Sequence, residues 1–147
     1  MKNLIENQRK IQTSTSSKTI DEPKELRPLK ENQKDWDRNS KIAKESLEDA
    51  HFKCELNTTH KTFTTKKKVA YMEAHHLIPM EFQEKFKYSL DIKANLISLC
   101  PNCHRQLHNA IMEEKKDLLI YLYNNRINRL KKCNLDITID ELLSFYD

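Results

Sequence analysis

The chain has no glycine among its 147 residues. Average usage of roughly 7% would supply about ten. Phosphate-binding loops of the GxxxxGK[ST] and GxGxxG types need glycine where the backbone approaches phosphate, so both types are excluded. A protein of this composition that handles phosphate must do so with side chains or a metal ion. Its turns must be made by Asn, Asp, Ser, Pro or Lys.

Long apolar runs are also missing. No stretch approaches the roughly 18 consecutive apolar residues of a membrane helix, and the N-terminal residues lack the apolar centre of a signal peptide. We therefore expect a cytoplasmic protein with no membrane partner. In a reducing compartment the four cysteines are expected to be metal ligands or buried thiols rather than disulfides.

Charge of one sign is only slightly in excess. The 26 Lys and Arg residues exceed the 22 Asp and Glu residues by a formal +4, and the sequence pI of about 8.8 is compatible with a polyanionic partner.

The length favours one domain with an additional tail and excludes a large multi-layer enzyme fold.

The first part of the chain divides into a tail and the start of a domain. Residues 1–36 are polar and offer little to bury, which predicts a disordered or linker tail before a domain at 37–147. A helix is predicted from Trp36 to His51 with Ser40 as a cap. A two-stranded hairpin is predicted over 52–78, turning at Lys66–Lys68 and ending at Pro79. Residues 80–94 resemble a polar loop with a short helix around 81–86.

The second part is predicted to be helical. Pro101 or Asn102 opens a helix, and apolar residues from Leu118 to Leu130 recur at the spacing of a helix of about four turns. Thr138 and Glu141 form a capping-box pattern before a short final helix.

Cysteines and histidines cluster at spacings suited to metal ions. Cys100 and Cys103 form a C-x-x-C pair, to which Cys54 adds a third thiolate for a tetrahedral zinc site. His60 is favoured as the fourth ligand, and Cys133 is the alternative.

A second group consists of histidines. His104 and His108 lie four residues apart on the predicted helix and share one face, so they can chelate one ion. The pair His75 and His76 can contribute to the same site if the strand ends there, with one ring binding the ion and the other free to accept a proton from water. Asn95 is a candidate to orient that free histidine.

Three segments in this order resemble the HNH endonuclease motif: EAHHLIP at 73–79, NL at 95–96 and LCPNCH at 99–104. The similarity covers roughly residues 40–132. It is closest to the zinc-knuckle branch found in restriction enzymes, including those that cut modified DNA.

The resemblance implies an α+β chain with a ββα-metal core, a structural zinc knuckle and flanking helices. In that core His76 matches the general base, Asn95 the middle Asn and His104 the final His. His75 matches the position that ligates the catalytic ion, and His108 the additional histidine of some variants. The implied cofactors are a structural Zn²⁺ and a catalytic divalent cation, namely Mg²⁺, Mn²⁺, Ni²⁺ or Zn²⁺.

The implied function is metal-dependent hydrolysis of DNA in restriction or defence. Arg105 is expected to neutralise a neighbouring phosphate. For Lys66–Lys68 the same role is the alternative to solvated surface, which a lysine run more often forms. The alternatives are a non-catalytic zinc-knuckle module that binds nucleic acid or protein, and a nuclease directed at RNA. A homodimer or a tethered specificity domain is a further expected partner arrangement.

Overall fold

The computed structural model describes residues 20–147. Its elements are four α-helices, two β-strands and two short 3₁₀ helices. The α-helices are α1 (Ser40–Asp49), α2 (Pro101–Asn109), α3 (Met112–Lys132) and α4 (Ile139–Ser144); the strands are β1 (Glu73–His76) and β2 (Leu96–Leu99); the 3₁₀ helices are Met80–Lys85 and Lys93–Asn95. The α+β class predicted from the sequence is confirmed.

Helix α1 begins at an asparagine cap. The Asn39 side chain accepts hydrogen bonds from the backbone N–H groups of Lys41 and Ile42, so the expectation that Ser40 is the cap was wrong by one residue. The helix ends before His51 and Phe52, which both adopt positive φ angles of 55° and 54°. In a chain without glycine, these two residues make the left-handed reversal that glycine usually makes.

The sheet is antiparallel and pairs β1 with β2, in the register Glu73 with Leu99 and His76 with Leu96. The predicted pairing of strands within 52–78 was therefore wrong for β1, whose partner comes after the long 77–95 connection. The predicted hairpin is present, but its two arms are joined by an isolated bridge between Thr64 and Ala70 rather than by regular strands. Its turn lies at Lys66–Lys67. Strands β1 and β2 followed by α2 form the expected ββα unit.

The other helices largely follow the predictions. Helix α2 begins with Pro101 directly after Cys100, whose sulfur caps it, and the capping box between Thr138 and Glu141 is present in α4. Helix α3 has 21 residues and is longer than the predicted four turns. The core is formed by buried side chains of the 77–95 connection, β2, α2 and α3, which include Leu77, Ile97, Leu99, Leu107, Leu119, Leu122 and Leu130.

The segment before α1 packs on the domain earlier than its composition suggested. Asp21 forms a two-pronged ion pair with Arg129 of α3, and Glu25 bridges to Tyr88. These contacts attach the segment around Asp21 and Glu25 to the folded chain, which provides the surface that the segment itself lacks. The part of the predicted tail at 1–19 lies outside the described residues.

Candidate active site and zinc cluster

Four side chains converge on one point beside the start of α2. Cys54, His60, Cys100 and Cys103 each direct one ligand atom into a cluster in which all such atoms lie within 4.8 Å of one another. His60 Nδ1 lies 3.4 Å from Cys103 Sγ and 3.6 Å from Cys100 Sγ. Tetrahedral zinc with ordinary Zn–S and Zn–N bond lengths places such atoms about 3.5 Å apart. The cluster therefore has the donors and the spacing of a zinc site.

The thiols of this cluster are electrostatically interdependent. Burial raises the pKa of Cys54, but hydrogen bonds from the backbone of Cys100 and Asn57 and from His60 outweigh it and lower this pKa to about 7. The pKa of Cys103 is raised, first by burial and then by the neighbouring Cys100 and Cys54 thiols. Buried thiolates are compatible with one another only when a cation neutralises them, and a Cys₃His set is an ordinary structural zinc set.

The alternative fourth ligand is elsewhere. Cys133 caps the C-terminal end of α3, where burial raises its pKa to about 11 and its charged neighbours are Asp21, Glu22 and Arg129. His60, and not Cys133, is the residue that completes the cluster.

A second cluster consists of three imidazoles. His75 lies on β1, and His104 and His108 lie one turn apart on α2; one ring nitrogen from each lies within 4.8 Å of the others. The two Nε2 atoms of His104 and His108 are 3.1 Å apart. That separation is close to the edge of a coordination polyhedron with metal–nitrogen bonds of about 2.1 Å. The structure thus brings together the three histidines that the sequence assigned to one ion.

His75 and His104 each form a hydrogen bond, through one ring nitrogen, with a side chain outside the cluster. His75 Nε2 lies 2.7 Å from the Tyr146 hydroxyl, which itself donates to the Leu77 carbonyl. The hydroxyl proton is therefore occupied, the His75 Nε2–H donates to Tyr146, and the lone pair of His75 lies on Nδ1. Burial, followed by the charges of His104 and His108, lowers the pKa of His75 well below its usual value, which keeps the ring neutral and able to bind a metal.

His104 is held by a carboxylate. Its Nδ1 lies 2.9 Å from Glu73 Oε1, and the Tyr71 hydroxyl donates to Glu73 Oε2 at 2.7 Å. The hydrogen bond from His104, followed by that from Tyr71, lowers the pKa of Glu73. An ionised Glu73 fixes the Nδ1–H tautomer of His104 and leaves Nε2 free for an ion, as in carboxylate–histidine–metal arrangements.

His76, the last residue of β1, is paired with a buried acid. Its Nε2 lies 2.8 Å from Oδ1 of Asp91, which is 4% exposed. Oδ2 of Asp91 accepts a hydrogen bond from the Asn39 backbone N–H at 2.6 Å. Burial raises the pKa of Asp91, but the bonds from His76 and Asn39 outweigh it and lower this pKa below the usual value. Asp91 is therefore ionised and favours His76 with a proton on Nε2 and a lone pair on Nδ1.

Asn95 does not orient His76, and this expectation was wrong. Its side chain is fully buried, accepts from the Ile78 backbone N–H at 2.8 Å and donates to the carbonyls of Ile78 at 3.0 Å and Leu90 at 2.9 Å. Asn95 thus ties both ends of the 77–95 connection to the end of β1. It supports the site by fixing the segment that carries Asp91.

The three-histidine cluster and His76 line the same cavity, which has a volume of about 390 Å³. Its lining includes His75, His76, His104, His108, Glu81 and Arg38. Because β1 ends at His76, the adjacent residues His75 and His76 both line this cavity, which meets the condition that the sequence set for a shared site. Arg105 is exposed on α2. Burial, followed by the charge of His104, lowers the pKa of His108, and the charge of Arg105 acts in the same direction.

Sequence reasoning missed four residues of this site. Asp91 lies in a polar loop, Arg38 precedes α1 and Tyr146 lies near the C-terminus; none has a motif spacing. Glu73 stands within the EAHH segment and was the one with a signal, since a carboxylate two residues before a histidine pair is a candidate partner for a metal ligand.

With this geometry established, similarity to known proteins becomes informative. Residues 50–110 match the HNH endonuclease family model. This HNH segment contains all seven residues of the two clusters together with Glu73, His76 and Asp91. Outside it lie Arg38, Asn39 and Tyr146, which complete the site from the flanking parts of the chain.

One relative shares the HNH segment at the level of sequence. It is the type IV methyl-directed restriction enzyme EcoKMcrA of Escherichia coli (strain K12), and it is 44% identical over 62 residues, which is 42% of this chain and 20% of the relative. The matched region thus spans about a fifth of that enzyme.

Among the described residues, no helix combines the length and apolar character needed to cross a membrane.

Proposed function

We propose that the protein is a metal-dependent endonuclease that hydrolyses DNA phosphodiester bonds in restriction. The observation that carries this proposal is the shared cavity, whose lining includes His76 and the three-histidine cluster of His75, His104 and His108, together with the hydrogen bond that pairs His76 with Asp91. A structural module would need only the cysteine cluster. The nuclease domain predicted over 37–147 contains both clusters.

The three imidazoles fit a catalytic divalent cation. Burial lowers the pKa values of His75 and His108, which favours their neutral, metal-binding form. One ring nitrogen of each of the three histidines lies within 4.8 Å of the others. A bound cation would polarise a phosphate oxygen and stabilise negative charge on the leaving oxygen. A set of neutral nitrogen donors suits Mn²⁺, Ni²⁺, Co²⁺ or Zn²⁺ as well as Mg²⁺.

The His76 imidazole is the proposed general base. With Nε2–H donated to Asp91 at 2.8 Å, Nδ1 can accept a proton from a water molecule that attacks phosphorus. Asp91 fixes the tautomer before the reaction and stabilises the positive charge that His76 acquires. This division of roles corresponds to that of the histidine and the acid in hydrolytic triads.

Two arginines are placed to contact the substrate backbone. Arg38 lines the catalytic cavity from the segment before α1, and Arg105 lies exposed on α2 beside Glu73. A guanidinium group binds phosphate oxygens in a bidentate manner. We assign to both the binding of phosphates next to the scissile bond.

The test is cleavage of supercoiled plasmid by the full chain with Mn²⁺ or Mg²⁺. We expect nicking by the wild type and none by His76→Ala, with zinc content and circular dichroism unchanged between them. Undiminished cleavage by His76→Ala would remove His76 as the base. Absence of cleavage by the wild type across all divalent metals would favour a zinc-knuckle binding module.

The same assay addresses the substrate class. The relative's name describes a methyl-directed restriction enzyme, and we propose a DNA substrate in which base modification directs cleavage. Parallel reactions on methylated plasmid, unmethylated plasmid and an RNA of equal length discriminate the options. Faster cleavage of RNA than of either DNA would reassign the enzyme as a ribonuclease.

A further inference from the structure

A short hairpin precedes β1 in the chain and has no part in the proposed mechanism. We define the basic hairpin as residues 61–71. Thr64 and Ala70 form its bridge, and the Tyr71 N–H donates to the Phe63 carbonyl at 3.0 Å. Lys68 adopts a positive φ of 65° at the turn, where glycine would be usual. The turn therefore has a defined backbone conformation.

The charge of this hairpin has one sign. No Asp or Glu occurs between Glu55 and Glu73. The interval carries Lys61, Lys66, Lys67 and Lys68, all of which are exposed. Across residues 20–147, the ion pairs that involve lysine or arginine are formed by Lys93, Arg126 and Arg129. The hairpin thus presents lysines to solvent without acids of its own to balance them.

The hairpin also exposes an aromatic ring. Phe63 is 63% exposed and is among the large apolar side chains most open to solvent in the described chain. Its ring stacks on that of Tyr71, with centroids 4.8 Å apart and planes inclined by 16°. One face of Phe63 is therefore supported by protein and the other remains open. An open aromatic face among lysines is the combination found where proteins contact nucleic acid.

The hairpin is connected to the catalytic cluster through two hydrogen bonds. Tyr71, on which Phe63 stacks, donates to Glu73 Oε2, and Glu73 Oε1 accepts from His104. The ring pair of Phe63 and Tyr71 is thus linked through Glu73 to a histidine of the three-histidine cluster.

We propose that the basic hairpin is a DNA-binding element for the duplex that flanks the scissile phosphate, an inference that rests on the proposed function. Lys66, Lys67 and Lys68 contact backbone phosphates, and Phe63 packs its open face against a deoxyribose or base. The lysines supply salt-dependent affinity, whereas the ring supplies affinity that depends little on salt.

The test measures binding separately from cleavage. A fluorescein-labelled duplex of about 25 base pairs is titrated with the full chain carrying His76→Ala, and anisotropy is recorded at several KCl concentrations. Joint replacement of Lys66, Lys67 and Lys68 by Ala should reduce the slope of log Kd against log salt by roughly 2 to 3, since each neutralised phosphate contributes about 0.9. Phe63→Ala should weaken binding about tenfold and leave the slope unchanged.

Matched controls come from α3. Tyr121 is 50% exposed, and Lys131 and Lys132 are exposed at the end of the helix. Tyr121→Ala and the joint Lys131→Ala, Lys132→Ala variant should bind as the parent does. Zinc content verifies that every variant is folded. Parent-like affinity and slope in both hairpin variants, or equal losses in the controls, would overturn the proposal. If the wild type cuts plasmid while the hairpin variants bind normally, only this inference fails; if the parent neither binds nor cuts DNA, the proposed function fails with it.

Discussion

His76 and Asp91 form a hydrogen-bonded pair in which the segment before α1 holds the acid. His76 Nε2 lies 2.8 Å from Asp91 Oδ1, and the second oxygen of that carboxylate is bound by the Asn39 backbone N–H. Lys24 Nζ also donates to the Asp91 carbonyl at 3.1 Å. The segment before α1 thus fixes the acid that is hydrogen-bonded to His76, although this segment lies outside the HNH segment.

The first prediction concerns this pair. Asp91→Asn keeps the shape of the side chain but removes the charge that stabilises an Nε2–H tautomer and a protonated His76. We expect the single-turnover rate of plasmid nicking to fall by about 10²- to 10⁴-fold, the range of a general base and its orienting acid. Asp37→Asn alters an exposed acid near the same segment and should cleave normally. An Asp91→Asn enzyme as fast as the wild type would contradict the orienting role.

The second prediction concerns Glu73. Glu73→Gln removes the negative charge on the far nitrogen of His104 and makes this ligand less basic. Affinity for Mn²⁺, measured by isothermal titration, should fall about 10- to 100-fold, as is typical for loss of such a partner. Glu81→Gln, which also alters an acid that lines the cavity, is the control and should retain wild-type affinity. Equal effects of the two substitutions would indicate a general loss of negative charge.

The third prediction separates the candidates for the fourth zinc ligand. His60→Ala and Cys100→Ser should each lose bound zinc and unfold the domain at room temperature, because apparent structural zinc binding is worth about 10 kcal/mol or more at pH 7. Cys133→Ser should retain full zinc, measured by mass spectrometry of the purified chain. Zinc lost from Cys133→Ser and retained by His60→Ala would reverse the assignment.

The two Cys/His clusters could be predicted from the sequence because their signals are local. The spacing of Cys100 and Cys103, and of His104 and His108, directly encodes proximity on a helix start and a helix face. Asp91 had no such signal. An acidic residue in a polar loop is expected to be solvated, and its burial is known only from the fold. Asn95 was assigned to the wrong partner because its position in the sequence does not reveal its contacts.

The strand pairing of the sheet could not be predicted from the alternation of apolar and polar residues. Strand β2 is four residues long and buried throughout, so it lacks the alternation by which a half-buried strand is recognised. The sequence signals therefore favoured a pairing of β1 within 52–78, whereas the register that forms buries β2 beneath α1 and α2. Such a choice depends on tertiary packing rather than on local propensity.

The fourth prediction is a pH dependence. Because the pKa of folded Asp91 is below the unfolded value of about 3.9, its carboxylate stabilises the fold above that pH, and the contribution disappears as the pH falls through the folded pKa. Below about pH 5 the difference in unfolding free energy between the wild type and Asp91→Asn should shrink, most steeply below about pH 4, because Asp91 is then protonated. Urea titrations at each pH in this window measure it. A difference that grows as the pH falls below about 5 would mean that the pKa of Asp91 is raised in the folded protein.

The last prediction returns to the missing glycines. His51 is exposed and holds a φ of 55°, a conformation that costs a residue with a β-carbon about 1–2 kcal/mol. His51→Gly removes this cost but loses part of the gain to the greater entropy of unfolded glycine, which leaves a net stabilisation of about 0.5–1 kcal/mol. His51→Ala retains the β-carbon and is the matched control, with no gain expected. Thermal unfolding of the zinc-loaded chain should give a higher Tm for the glycine variant than for the alanine variant, and the opposite order would show that the His51 side chain stabilises the turn itself.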